Sequence, residues 1–257
     1  MTIAMSEKSV TACLIIIGNE ILSGRTVDAN LPYLAQALGE IGVRLAEARV
    51  VSDDEAEIAD AVNVCRAKHD YVFTTGGIGP THDDITSAAV AKAFGLPFGR
   101  NAEAEALLLA YYPPEKVNEA RMSMADMPEG AALIDNPVSI APGFRVENVY
   151  VLAGVPKIMQ AMLDDIIPTL KGGAVVISRS VTVFMLEGEL ASHLKELQDN
   201  HPKLDIGSYP FFGSAAGPGS TIVFRGTDKR QIDQAAQGLL TIASNLGVRI
   251  IDGPARQ

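Results

Sequence analysis

Along the first 170 residues, apolar positions switch between unbroken runs and a spacing of three to four, which predicts strands alternating with helices. Val10 to Ile17 is continuously apolar, as expected of a strand covered on both faces. A helix is predicted from about Asp28 to Ile41, with Leu31, Leu34, Ala35 and Leu38 on one face and Pro32 in its first turn, where proline is tolerated. A second strand, roughly Val43 to Val51, leads through Ser52-Asp53-Asp54-Glu55 into a helix carrying Ile58, Ala61, Val62 and Cys65. Tyr71 to Thr75 reads as a third strand, and Thr86 to Phe94 as an Ala-rich helix stopped by Gly95. Asn148 to Leu152 is a further strand, followed by Ala153-Gly154-Val155-Pro156-Lys157 and a helix to about Leu170. Repeated strand–loop–helix units predict an α/β class with a doubly wound, mostly parallel sheet. Beyond residue 171 the pattern changes. A β-rich run from Ala174 to Leu186 precedes an amphipathic helix, Glu189 to Asn200, and two strands, Leu204 to Phe211 and Ser220 to Arg225, joined by the glycine-rich Phe212 to Gly219. A last helix, about Lys229 to Leu246, and the short strand Val248 to Ile251 complete a smaller α+β domain. The expected domains are 8–171 and 172–257.

Composition changes this picture little, and charge changes it more. At 47% hydrophobic content, 257 residues can fill two modest cores. Apolar segments such as Ala12 to Ile17 and Ala106 to Tyr112 are too short to cross a membrane, and Met1 to Lys8 lacks the order of a signal peptide. A cytoplasmic protein without a membrane partner is expected. Residues 1–170 carry 12 basic and 23 acidic side chains, a net of −11, and residues 171–257 carry 9 and 8, a net of +1, which together give the chain's −10. Neither half attracts nucleic acid non-specifically, and the second domain, whose element order is KH-like, lacks a basic Gly-x-x-Gly loop. Cys13 and Cys65 fall at core positions rather than in a metal-ligand or disulfide pattern, and the four histidines show no zinc spacing.

The most specific chemistry lies in Thr74-Thr75-Gly76-Gly77-Ile78-Gly79-Pro80-Thr81-His82-Asp83-Asp84-Ile85-Thr86, between a strand and a helix. Glycines let backbone N–H groups approach an anion, threonine hydroxyls add donors, and the helix N-terminus adds partial positive charge, so Thr75, Gly76, Gly77, Gly79 and Thr81 are candidate phosphate contacts. Asp83 and Asp84 repel a phosphate unless a hard cation bridges them to it, which points to a divalent metal such as Mg²⁺, Mn²⁺ or Co²⁺. The plain alternative is a capping box after a tight turn. Other loops at the same sheet edge bring Glu20, Asp53, Asp54, Gly154 and Lys157, with Arg25 or Lys157 as a cationic helper. Glu20 and Asp28 read equally well as solvated or capping carboxylates, and one of Asp53 and Asp54 is expected to cap its helix. Asn136 to Phe144 is a turn-rich segment able either to close over a ligand or simply to join strands.

Gly18-Asn19-Glu20-Ile21-Leu22-x-Gly24, Asp28-x-Asn30, the Thr75 to Thr86 loop, Ala141-Pro142-Gly143 and Gly154-Val155-Pro156 together resemble the N-terminal region of the competence/damage-inducible protein A (CinA) family. That region is a molybdopterin-binding-like domain of the MoaB/Mog superfamily, related to the N-terminal domain of eukaryotic FAD synthases. The resemblance spans most of residues 10–170, and the second module is similar to the smaller domain that follows in that family. It implies either molybdopterin binding or adenylylation, as in the MoaB/Mog branch, or metal-dependent pyrophosphohydrolysis of ADP-ribose or FAD, as in the CinA-type and FAD-synthase relatives. Ile78, in place of the Mog threonine, and Pro80-Thr81-x-Asp83-Asp84 follow the CinA form and favour hydrolysis. By this resemblance Asp84 matches an essential aspartate of the Mog branch, Asp53 its second acidic position, and Asn30 belongs with the ligand contacts. Ala153 replaces the usual proline, and Ile158 a common carboxylate. The chain ends at Gln257 without a deamidase domain, so deamidase activity is expected to be absent. The resemblance implies a homo-oligomer, dimer or trimer, acting on a nucleotide diphosphate or a pterin. Catalysis is assigned to Asp84, Asp53 and Glu20, and metal binding to Asp83 and Asp84.

Overall fold

A computed structural model describes residues 10–212 and 217–254. Residues 8 and 9 of the expected first domain, and 213–216 of the Phe212 to Gly219 connection, lie outside the described residues. The chain divides into two compact units between Ala174 and Val175. That division falls three residues past the expected domain boundary because the intervening chain is stitched to the first unit. Lys171 donates its N–H to the Tyr71 hydroxyl, and Gly173 donates to the Ile41 carbonyl at 3.2 Å.

The first unit opens with β1 (Val10–Ile17), α1 (Asn19–Leu22), α2 (Asn30–Glu40), β2 (Val43–Val51), α3 (Glu55–Lys68), β3 (Tyr71–Thr75) and α4 (Thr86–Phe94). It continues with β4 (Phe98–Arg100), α5 (Ala102–Tyr111), α6 (Glu119–Met122), β5 (Asp126–Pro128), β6 (Ala132–Ile134), β7 (Gly143–Val146), β8 (Val149–Leu152) and α7 (Pro156–Ile166). The main sheet has the order β2-β1-β3-β8-β7-β6. Its first four strands are parallel, and β7 runs antiparallel to both its neighbours, β8 and β6. Ala12 to Ile17 are buried without alternation because helices cover both faces of the sheet. On one face α2 and α7 pack Leu34, Leu38, Met159 and Leu163 against Leu14, Phe73 and Leu152. On the other, α3 and α4 pack Ile58, Val62 and Val90 against Ile15, Val72 and Val151. The chain therefore leaves β1 toward one face and β3 toward the other, and a crevice opens between their C-terminal ends.

Local chemistry sets the element ends. Asp54 caps α3, accepting the N–H groups of Ala56 and Glu57 at 2.9 and 3.0 Å. Gly95 ends α4 with φ of 64°, a left-handed conformation suited to glycine. Helix α2 starts at Asn30, not Asp28, because the Asp28 carboxylate accepts the Leu31 N–H from outside the helix. Helix α7 stops at Ile166, and a 3₁₀ turn containing Pro168 takes its place before Leu170. Strands β4 to β7 and helices α5 and α6 have no counterpart among the expected elements, and Glu20, expected in a loop, lies in the short helix α1.

The second unit contains β9 (Ile177–Val183), α8 (Glu187–Asn200), β10 (Asp205–Phe211), β11 (Gly219–Gly226), α9 (Lys229–Asn245) and β12 (Ile250–Ile251). Its antiparallel sheet has the order β10-β11-β9-β12. Leu190, Leu197, Ile232 and Leu239 from the helices pack on Val181, Ile222 and Phe224. This is the expected smaller α+β domain. No helix among the described residues is long and apolar enough to cross a membrane.

One ion-pair cluster in the first unit makes stability pH-dependent. Glu47, on β2, meets Lys68 Nζ at 2.6 Å, His69 Nε2 at 3.1 Å and Arg49 Nη2 at 2.7 Å. Lys68 foremost, then His69 and Arg49, hold its carboxyl at about 2, below the ordinary 4.5. A depressed folded-state pKa contributes stability above about 4.5 that fades as pH falls toward about 2. Glu47→Gln is expected to lower stability by about 1–2 kcal/mol at pH 7. Urea titrations of both proteins should show that difference shrinking between pH 5 and pH 2.

Candidate functional site

At the crevice between β1 and β3 the backbone is packed so closely that glycine is required. Gly76 has φ of 103°, and a Cβ there would lie 2.2 Å from the Ile17 carbonyl oxygen. Gly77 has φ of 69°, and its Cβ would lie 2.1 Å from Thr86 Oγ1. Thr86, fully buried at the start of α4, holds the loop by donating its hydroxyl to the Gly76 carbonyl at 2.9 Å and its N–H to the Gly77 carbonyl at 2.9 Å. Gly154, after β8, passes so close that its Cβ would sit 3.1 Å from Gly76 Cα. Among the described residues, the N–H groups of Gly77, Ile78 and Gly79 have no protein acceptor. They are left for water or a ligand.

The loop borders a cavity of about 680 Å³. Glu20 of α1, Asp53 after β2, and Asp83 and Asp84 of the glycine loop all line it, as do Gly76, Gly77, Gly79, Thr81 and Gly154. The loops converge through hydrogen bonds. Asp53 accepts the Asn19 N–H at 2.8 Å, which ties the loop after β2 to that after β1. Asp54 takes the capping role, so the adjacent aspartates divide between helix and cavity. Asp84 Oδ2 accepts both the N–H and the hydroxyl of Thr81, fixing the turn. Among the described residues, no three of these carboxylates bring ligand atoms within 4.8 Å of one another. The donor set suits a hard cation held by one or two carboxylates, with water and substrate oxygens completing its shell, rather than a closed protein cage.

Several predicted contacts are placed differently. Lys157, on the first turn of α7, is exposed and lines neither this cavity nor its small neighbour, because Pro156 and the helix direction carry it away. Thr75 is buried below the loop, outside the lining of the main cavity, and borders a side cavity of about 60 Å³, which it shares with Asn30 and Asp28. The Gly76 N–H is already donated to the Leu152 carbonyl at 3.3 Å, so the free amides begin at Gly77. The Thr81 hydroxyl is donated to Asp84 and cannot also serve as a free donor. Asn30 Nδ2 donates to the Gly154 carbonyl at 2.8 Å, joining α2 to the loop after β8. Its Oδ1 and the Thr75 hydroxyl are buried with no partner among the described residues.

Arg25 lines the cavity and makes no ion pair among the described residues. The turn-rich segment contributes Asn136, Ser139 and Ala141 to the wall. Asn136 is 1% exposed; its Nδ2 donates to Ser139 Oγ and the Ala141 carbonyl, both at 2.7 Å, and its Oδ1 accepts the N–H groups of Val138 and Ser139. The turn residues of this segment are plain in the sequence, but nothing there singles out Asn136. Met124 was missed entirely, for it lies in a stretch without periodic signal.

Comparison with known proteins agrees with this architecture. The family model described as a probable molybdopterin binding domain matches residues 13–172, and that described as the middle domain of FAD synthase matches residues 175–248. A protein from Archaeoglobus fulgidus is 33% identical over 225 residues, 87% of this chain and 94% of that protein. A CinA-like protein from Desulfosudis oleivorans is 37% identical over 185 residues, 67% of this chain and 45% of that protein. The crystal structure of a CinA protein of unknown function from Thermoplasma acidophilum superposes with a TM-score of 0.59 at 36% identity, over 63% of this chain and 98% of that one. With the first unit matched almost throughout and its glycine loop framing a ligand cavity, the chain belongs to the molybdopterin-binding domain family as a CinA-like member.

Proposed function

We propose that the chain is a divalent-metal-dependent pyrophosphohydrolase acting on a nucleotide diphosphate such as ADP-ribose or FAD. One observation carries the reading: anion donors and carboxylates border a single cavity, with unpartnered amides at Gly77, Ile78 and Gly79 and carboxylates at Glu20, Asp53, Asp83 and Asp84. Such a wall suits a diphosphate only if a cation offsets the acidic groups. Asp83 and Asp84 would hold that cation, which supplies charge neutralisation to the phosphates and electrophilic activation of the phosphorus. The amides of the glycine loop bind and orient the diphosphate, and Arg25 adds positive charge at the rim. Glu20 or Asp53 accepts a proton from the attacking water at a carboxylate oxygen. The match of the second unit to the FAD synthase middle domain supports a nucleotide over a simple phosphate. The assay is AMP release from ADP-ribose or FAD by the purified chain with Mg²⁺, Mn²⁺ or Co²⁺. The reading predicts AMP with at least one metal and none in EDTA; folded protein that yields none with any metal contradicts it.

A second reading rests on the match to a probable molybdopterin binding domain: pterin binding or adenylyl transfer at the same loop, without hydrolysis. Tight pterin binding with no turnover of dinucleotides would select it.

A further inference from the structure

Away from the cavity, the first unit buries a pair of thiols that the proposed hydrolysis does not use. Cys13 lies on the interior strand β1 and Cys65 in the last turn of α3, both fully buried. Their Sγ atoms are 2.9 Å apart, well inside the roughly 3.5–4.0 Å at which non-bonded heavy atoms pack best. Two cysteines acting only as small apolar fillers gain nothing from that approach. We propose that Cys13 and Cys65 are a disulfide-forming pair, closed by hydrogen peroxide or a related small peroxide that reaches the two buried sulfurs through local opening of α3, which staples β1 to the helix above it.

The surroundings favour this chemistry. Cys13 donates its S–H to Cys65, which pulls the Cys65 thiol below its usual range; burial and the Glu47 charge oppose the shift, and the charges of Arg49 and Lys68 assist it. Cys65 is therefore the attacking thiolate and Cys13 the resolving thiol. The Cys65 thiolate attacks a peroxide oxygen, the O–O bond breaks, and the product is a sulfenic acid, with hydroxide leaving as water. Cys13 sulfur then attacks the Cys65 sulfur and expels the sulfenic oxygen as a second water. Two thiols and one peroxide become one disulfide and two waters, the thiols losing two electrons to the peroxide. Glu47, opposite Cys13 in the β1–β2 pairing, is the third group within 4.8 Å and could suggest a soft-metal site. Its carboxylate is already shared among Arg49, Lys68 and His69, and the charges of Arg49 and Lys68 disfavour a further positive charge. The cross-link would join residues 52 apart, enclosing the loops that carry Glu20 and Asp53. Closing a loop of that length is expected to raise the unfolding midpoint by about 10 °C.

The reduced, folded chain is treated with hydrogen peroxide, then denatured with iodoacetamide and analysed by mass spectrometry beside a thermal melt. The proposal predicts a product two hydrogens lighter, a single linked Cys13–Cys65 peptide, no alkylated cysteine, and a raised midpoint that dithiothreitol reverses. Cys13→Ala and Cys65→Ala are expected to lose the midpoint rise. Should either fail to fold, trapping on the unaltered chain still decides. Two alkylated cysteines without a linked peptide, separate sulfinic adducts on each sulfur, or native mass spectrometry showing zinc held by both thiols would each overturn the proposal.

Discussion

Gly76→Ala is expected to lower stability by about 3 kcal/mol and to abolish ligand binding at the crevice. The added methyl would sit 2.2 Å from the Ile17 carbonyl oxygen, and a backbone atom at the end of β1 cannot turn aside as a side chain can. Left-handed strain at φ of 103° adds to the clash. Relief would move Gly76 away from Ile17 and into Gly154, whose own Cβ position is 3.1 Å from Gly76 Cα, so three strand ends would be disturbed together. Gly39→Ala is the control: it lies in α2 with nothing within 4 Å of the added carbon, and should raise stability by up to about 1 kcal/mol. Thermal melts of the two variants should shift in opposite directions, the first downward by about 10 °C.

Asp84→Asn separates the charge of this residue from its structural part. The amide oxygen of asparagine can still accept the Thr81 N–H and hydroxyl that now go to Oδ2, so the turn should persist and the melting midpoint should move little. What disappears is the negative charge at the cavity wall. AMP release is expected to fall on the order of 10²-fold, with a higher metal concentration needed for half-maximal rate. An equal fall in activity and midpoint would assign Asp84 to loop structure alone. Full activity would remove it from the site.

Both variants lie in the part of the chain that the residue pattern made legible. β1 could be read because a parallel strand under helices on both faces needs an unbroken apolar run, β2 because Val43, Leu45 and Val51 alternate with exposed positions, and the glycine loop because only glycine meets its close approaches. Strands β4 to β7 are three or four residues long, too short to show a period, and their loops hide Met124 from any pattern. The run from Ala174 was read too long because Val175 and Val176 are β-branched yet 46% and 48% exposed. Asp53 and Asp54 are adjacent carboxylates with the same local preference; only the fold shows that one caps α3 while the other faces the cavity. Lys157 lies outside the cavity lining for a related reason: position after the right strand does not set the direction of a side chain on the following helix. The Cys13–Cys65 contact joins positions 52 apart, and each looks apolar in its own element.

The central claim is that the glycine-loop amides and the carboxylates beside them hold a diphosphate and a divalent cation together. Its most direct test is a titration of the chain with a non-hydrolysable methylene analogue of ADP-ribose, with and without Mg²⁺, following the backbone amide resonances of Gly77 and Gly79. The account predicts tight binding and large shifts of both amides only when metal is present, with the metal dependence lost in Asp84→Asn. Equal binding with and without metal, or shifts that spare both glycines, would contradict it.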